Sequence, residues 1–160
     1  MSAQVLLLMG SKNDWKVVKK ARDVLEELGV EAEAHVSSAH RSPARTLELI
    51  AAAEAGGAKV IICAAGLAAH LAGVTAAHTL LPVVAIPIGG GSLGGLDALL
   101  STVQMPPGIP VATVGIDRGK NAGLLAAQII ALSDEGLRGR LQAFRKAQTE
   151  AVAGDDGELV

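Results

Sequence analysis

Four consecutive residues, Ser38-Ala39-His40-Arg41, place a hydroxyl, an imidazole and a guanidinium in one short segment. Arg41 stands where a helix is predicted to begin, and the helix dipole disfavours a cation at that end. Its guanidinium group is therefore stabilised most if it binds an anion such as phosphate there. His40 can pass protons because imidazole titrates near neutral pH. The segment predicts an anion-binding group beside an acid/base.

A second candidate segment is Gly10-Ser11-Lys12-Asn13-Asp14, which follows an apolar run. Gly10 permits a tight turn, Ser11 adds a hydroxyl, and the next helix offers free N–H groups to an anion. Neither the Walker pattern nor G-x-G-x-x-G is present, so a nucleoside triphosphate or dinucleotide is not indicated. Asp14 is either only the N-cap of the helix, which loop chemistry slightly favours, or a cap that also binds sugar hydroxyls.

The third candidate segment, residues 64–73, consists of small residues with one histidine, His70. Its backbone N–H groups could hold a carboxylate or released CO2, although close helix–sheet packing would also explain the small residues. Pairing of His70 with His40 on a metal is disfavoured because no third ligand is evident, and no metal site is predicted. His35, in a strand, and His78, in a helix, are interpreted as structural.

Short apolar runs alternate with helical patterns along the chain, which predicts parallel strands joined by helices. Asp14 and Gly29 delimit the first predicted helix, and Ser42 followed by Pro43 starts the second. We expect one α/β domain over residues 1–153: a doubly wound, flavodoxin-like or Rossmann-like sheet of about five strands in the order 2-1-3-4-5, a three-layer sandwich with a C-terminal helix. Residues 154–160 are predicted to be a disordered tail. The predicted strands are 5–9, 31–37, 60–64, 83–88 and 111–114, and the last two helices are 121–132 and 134–152.

In such a sheet, ligands bind beyond the carboxyl ends of the strands, where the winding reverses. The first three strand-to-helix loops are therefore the predicted site.

Composition excludes several classes of function. The net charge is −2, and aromatic residues make up 1% of the 160-residue chain, so a nucleic-acid partner is not expected. We predict no signal peptide, membrane span or disulfide framework, because the start is not basic, no apolar run is long enough to span a bilayer, and Cys63 is the single cysteine. A small ligand and a cytoplasmic location fit best, and the apolar composition favours self-association.

With these segments in order, the sequence resembles the PurE family of purine biosynthesis from its first strand to its last helix. Arg41 and the segment Ala68-Ala69-His70-Leu71 are similar to the branch that acts as an N5-carboxyaminoimidazole ribonucleotide mutase, whereas the CO2-using branch typically has lysine at the first position. The motifs that carry the resemblance are Met9-Gly10-Ser11-Lys12-Asn13-Asp14-Trp15, Ser38-Ala39-His40-Arg41, Ala68-Ala69-His70-Leu71, Leu81-Pro82-Val83, Gly95-Leu96-Asp97, Val103-Gln104-Met105-Pro106 and Lys120-Asn121-Ala122-Gly123-Leu124-Leu125-Ala126.

The resemblance implies an isomerase that moves a carboxyl group from the exocyclic nitrogen of an aminoimidazole ribonucleotide to ring carbon C4, without metal, ATP or biotin. It also implies a homo-octamer. His40 would be the acid/base and Asp14 would bind the ribose hydroxyls. The 5′-phosphate would be bound by Ser11, Ser38 and Arg41, and the carboxylate end would be lined by Gly66, Ala69, His70 and Leu71.

Several positions depart from the family's usual pattern, namely Asn13, Leu67, Ala72, Ala98 and the triple glycine at 89–91. Leu67 and Ala72 flank the expected CO2 pocket, and they leave open a related carboxylation on another ribonucleotide. A CO2-using aminoimidazole ribonucleotide carboxylase is a separate alternative. A non-catalytic nucleotide-binding module is the further alternative.

Overall fold

The computed structural model describes residues 3–155. Five parallel strands form one sheet in the order β2-β1-β3-β4-β5, which confirms the predicted α/β class and strand order. The strands are β1 (Val5–Met9), β2 (Ala32–Val36), β3 (Val60–Gly66), β4 (Val83–Ile88) and β5 (Ala112–Thr113). The helices are α1 (Trp15–Glu27), α2 (Pro43–Ala55), α3 (Leu71–Ala76), α4 (Leu96–Val103), α5 (Gly119–Ile130) and α6 (Glu135–Asp155).

The central strands are buried on both faces because helices cover each side of the sheet. Along β1, side chains alternate between the two layers: Leu7 packs in the core under α1, α5 and α6, whereas Leu6 and Leu8 pack in the core under α2 and α3. This arrangement is the predicted three-layer sandwich.

Helices α1 and α5 lie unusually close together at two glycines. A Cβ on Gly119 would lie 2.1 Å from the carbonyl oxygen of Val17, and one on Gly123 would lie 2.7 Å from that of Ala21. Glycine at these positions therefore lets the backbones of α1 and α5 approach each other closely.

Two local predictions are wrong, and a third is correct in position only. Asp14 does not cap α1, because it is the last residue of a 3-10 turn (Lys12–Asp14) that runs straight into the helix and has Ser11 as its own N-cap. Ser42 is the N-cap residue of α2 and Pro43 is its first residue, as predicted, but the hydroxyl of Ser42 bonds to the backbone of Ser38 and not to that of the helix. His78 lies in the turn after α3 rather than within a helix, where its ring bonds to the carbonyl of Val74.

The C-terminal helix α6 continues to Asp155, past residue 154, where the tail was predicted to begin. Residues 156–160 lie outside the described residues. No helix within residues 3–155 is long and apolar enough to cross a membrane.

Candidate active site

A cavity of about 470 Å³ opens at the carboxyl ends of the strands. Its walls come from the loops that follow β1, β2, β3 and β4, so the predicted edge of the sheet does carry a concave site. The lining includes the predicted residues Ser11, Asp14, Ser38, His40, Arg41, Gly66, His70 and Leu71.

The first loop is held in shape by a reciprocal cap. The hydroxyl of Ser11 accepts the N–H of Asn13 at 3.2 Å, and the carboxylate of Asp14 accepts the N–H of Ser11 at 3.0 Å. These bonds are those of a capping box, although the turn they start is only three residues long. Asp14 therefore both stabilises the loop and faces the cavity.

Asp14 is nearly buried, with 8% of its surface exposed. Burial raises the pKa of its carboxyl above the ordinary value of 3.8, the N–H of Ser11 and the charge of Arg41 lower it in part, and the charge of Asp117 raises it further. A buried acceptor of this kind can bind hydroxyl groups of a ligand.

Arg41 joins the second loop to the first. Its Nη2 donates to the carbonyl of Gly10 at 2.9 Å, and its Nε donates to the hydroxyl of Ser38 at 3.4 Å. Two of the five guanidinium N–H groups make these bonds within the described residues, which leaves three for an anion. The backbone N–H of Arg41 also donates to the hydroxyl of Ser38 at 3.2 Å, so Ser38 and Arg41 form one rigid unit beside Ser11.

His40 is paired with His70 across the cavity. Nε2 of His40 lies 2.8 Å from Nδ1 of His70, and the rings meet edge to face with centroids 4.8 Å apart. One ring donates and the other accepts, so the tautomer of His70 determines which nitrogen of His40 carries a proton. Both rings are exposed to the cavity and can reach a ligand.

The third loop places Gly66 and Leu71 in the lining but not Ala69. Ala69 is 1% exposed and packs beneath the loop, so it can support the site but does not face the cavity. Leu67 does face the cavity and adopts a left-handed backbone conformation with φ of 55°. The sequence pattern could not indicate that Ala69 is buried and Leu67 faces the cavity. Both positions depend on the exact backbone path of the four-residue loop between β3 and α3.

A fourth wall, which the sequence did not predict, comes from the loop after β4. Ile88, Gly89, Gly90 and Gly91 line the cavity. The run of glycines was the available signal, since glycine lets backbone approach a ligand closely. Within the described residues, no group of three or more His, Cys, Asp or Glu side chains could hold a metal ion.

Comparison with known proteins identifies the family of the chain. A family model described as AIR carboxylase matches residues 4–151. The chain belongs to the AIR carboxylase family. Among curated relatives of this family, the N5-carboxyaminoimidazole ribonucleotide mutase of Brucella melitensis is 52% identical over 155 residues, which cover 96% of each chain. The protein of that name from Escherichia coli is 47% identical over 152 residues, covering 94% of this chain and 90% of the relative.

A related solved structure has the same fold. The crystal structure of Treponema denticola PurE superposes with a TM-score of 0.89 at 29% identity and covers 97% of each chain. The predicted resemblance to the PurE family is therefore confirmed.

Proposed function

We propose that the protein is an N5-carboxyaminoimidazole ribonucleotide mutase, an isomerase of purine biosynthesis that produces 4-carboxy-5-aminoimidazole ribonucleotide. The observation that carries the proposal is the position of the His40–His70 pair in the same cavity as the Ser38–Arg41 unit. A proton carrier and an anion-binding group within one cavity match a phosphorylated substrate that must be protonated and deprotonated in turn.

The 5′-phosphate is assigned to Ser11, Ser38 and Arg41. The bonds of Arg41 to Gly10 and Ser38 set the orientation of its guanidinium before a ligand arrives, so less side-chain entropy is lost on binding. Ser11 and Ser38 add hydroxyl donors. Asp14, beside Ser11, is assigned to the ribose hydroxyls, which can donate to its carboxylate.

His40 is assigned the proton transfers. It donates a proton to the carbamate nitrogen; the N–C bond then breaks, its electron pair stays on nitrogen, and neutral CO2 is released. The electron-rich C4 attacks this CO2, and His40 takes the proton that C4 loses, which restores the starting protonation state. His70 orients His40 and can exchange the shared proton with it.

Retention of CO2 requires walls that leave little room for water. Gly66 and Leu71 line the carboxylate end, with Ala69 packed behind them. Small, apolar residues here do not offer CO2 a nucleophile or a hydrated path, so trapped CO2 stays near C4.

We also propose that the protein forms a homo-oligomer, an octamer by the resemblance, in the cytoplasm. One face of α4 supports self-association, since its apolar side chains at helical spacing are exposed by 47% to 51% in the single chain, namely Leu96, Leu100 and Val103. Light scattering coupled to gel filtration measures the assembly directly.

The decisive experiment supplies N5-carboxyaminoimidazole ribonucleotide in one reaction and aminoimidazole ribonucleotide with bicarbonate in another, and follows the C4-carboxylated product. We expect efficient conversion in the first reaction at low bicarbonate. Conversion only in the second would assign the protein as a CO2-using carboxylase. If the ribonucleotides bind but neither reaction forms product, the remaining alternatives are a non-catalytic nucleotide-binding module and a carboxylase that acts on a different nucleotide.

A further inference from the structure

The loop after β4 is hydrogen-bonded to the side chain of Asp117. The β4–β5 ladder is short, because β5 has only two residues, Ala112–Thr113. Beyond it, the N–H of Asp117 donates to the carbonyl of Pro87 at 2.9 Å, and the N–H of Gly89 donates to the carboxylate of Asp117 at 2.9 Å. A side chain thus continues the hydrogen bonding that a longer β5 would have provided.

Asp117 adopts an unfavourable backbone conformation to make this bond. Its φ is 58°, and among the described residues only Asp117 and Leu67 have a positive φ without being glycine. Strained residues of this kind persist where the surrounding structure fixes them, and they concentrate at functional sites. These two residues contact the same loop from opposite ends, at Gly89 and Gly91.

The glycines of the loop fit these contacts. A Cβ on Gly89 would lie 2.6 Å from Oδ2 of Asp117, and a Cβ on Gly91 would lie 2.6 Å from a methyl group of Leu67. A side chain at residue 89 would therefore displace the Asp117 carboxylate. Three successive glycines also have high conformational entropy, so this loop needs a fixed contact to act as a wall.

We propose that Asp117 is a positioning residue that holds Gly89-Gly90-Gly91 as the wall of the cavity beside Leu67, and so limits the escape of CO2 during the reaction. This proposal rests on the proposed mutase function. Asp117 does not line the cavity, so it contacts the loop and not the substrate.

The chemistry makes the loss of the wall measurable. Once the N–C bond of the carbamate breaks, the enzyme holds aminoimidazole ribonucleotide and CO2. CO2 that stays is attached to C4, whereas CO2 that escapes leaves aminoimidazole ribonucleotide as the product. The ratio of the two products therefore reports how well the cavity retains CO2.

The test compares Asp117→Gly, which keeps the left-handed backbone but removes the carboxylate, with Asp117→Asn, which keeps an acceptor oxygen and tolerates the same backbone. We expect Asp117→Gly to raise the share of aminoimidazole ribonucleotide among the products about fivefold, counted above the enzyme-free background. Amide hydrogen exchange in residues 88–95 should become about tenfold faster, as expected for loss of one charge-assisted hydrogen bond. Asp117→Asn should stay within about twofold of wild type in both measurements.

Asp134→Gly is the matched control, because its carboxylate also accepts a backbone N–H, that of Leu137 at 2.9 Å, but lies outside the cavity lining. It should leave the product ratio unchanged. The proposal would be overturned if amide exchange in Asp117→Gly stayed at the wild-type rate. It would also be overturned if Asp117→Asn and Asp117→Gly changed amide exchange and the product ratio equally. If wild type converts no N5-carboxyaminoimidazole ribonucleotide, the mutase function fails, and amide exchange still decides whether Asp117 holds the loop.

Discussion

Nε2 of His40 lies 2.8 Å from Nδ1 of His70, although thirty residues separate them in the sequence. Loops from β2 and β3 bring the two rings together above β1, which lies between those strands. The hydrogen bond makes His70 part of the proton-transfer unit, and the first two predictions follow from this pair.

Replacing His40 by Asn should reduce kcat by about 100- to 10,000-fold, the usual range for loss of a general acid/base. Ribonucleotide affinity should remain within about threefold of wild type, because the anion site does not include the ring. Stopped assays and calorimetry measure the two effects. His35→Asn, on the outer strand β2, is the control. Unchanged turnover in His40→Asn would exclude His40 as the acid/base.

Replacing His70 by Asn should lower kcat by about tenfold, because the ring orients His40 without itself acting on the substrate. In the double variant His40→Asn/His70→Asn, kcat should match that of His40→Asn alone, since His70 acts through His40. A further loss in the double variant equal to the loss from His70→Asn in wild type would instead indicate an independent role for His70.

Replacing Arg41 by Ala should weaken binding of the phosphorylated ligand by about 10- to 100-fold, as expected for loss of a charge-assisted contact. Affinity for the corresponding unphosphorylated nucleoside should not change. Arg45→Ala is the control, because Arg45 lies four residues later, within α2, and donates to the carbonyl of Val36 instead. Equal losses for the nucleotide and the nucleoside would contradict the assignment of Arg41 to phosphate.

The buried carboxyl of Asp14 should make stability depend on pH. Its pKa in the folded chain is raised, mainly by burial, so the folded state favours the neutral form. Its contribution to stability is complete below the unfolded pKa and is lost as pH rises through the folded pKa. The unfolding free energy of wild type, relative to Asp14→Asn, should therefore fall as pH rises from below 3.8, the ordinary carboxyl pKa, through the raised pKa of the folded chain.

Denaturant titrations at several pH values measure this difference, with Asp23→Asn on the exposed side of α1 as the control for loss of a carboxylate. A difference that rises with pH would contradict the assigned direction. Asp14→Asn should also weaken ribonucleotide binding, so that stability and binding change in opposite directions near neutral pH.

One glycine substitution tests the close approach of α1 and α5, and a second, in α6, is its control. Gly123→Ala should destabilise the fold by about 1–3 kcal/mol, because its Cβ would meet the backbone of Ala21 and force the helices apart. Gly139→Ala, at an exposed position within α6 with open space around it, should stabilise by about 0.5–1 kcal/mol through helix propensity. Equal effects of the two substitutions in thermal unfolding would contradict this packing.

Sequence patterns were sufficient to predict a parallel sheet, because apolar runs such as Val5–Met9 and Val83–Ile88 reflect burial on both faces. The strand order itself was taken from the commonest plan for alternating strands and helices. The sequence patterns also placed the first three loops at one edge. The predicted capping role of Asp14 was wrong because a 3-10 turn precedes the helix. A three-residue difference in where helical backbone begins cannot be predicted from composition.

The fourth wall and the His40–His70 bond could not be predicted for a different reason. Each depends on contacts between residues far apart in the chain, such as Asp117 with Gly89, and on backbone conformations that side-chain types do not encode. The glycines at 89–91 indicated a segment with a wide choice of backbone conformations. Only the three-dimensional structure shows which contacts restrict that choice.

The position of β1 between β2 and β3 also determines when the site can form as the chain folds. The cavity needs the loops after β1 and β3, and these neighbouring strands are separated in the chain by α1, β2 and α2. Pairing across so many residues must first overcome the entropy of loop closure. During refolding, enzymatic activity should therefore return with the slowest phase, after most helical signal has been regained.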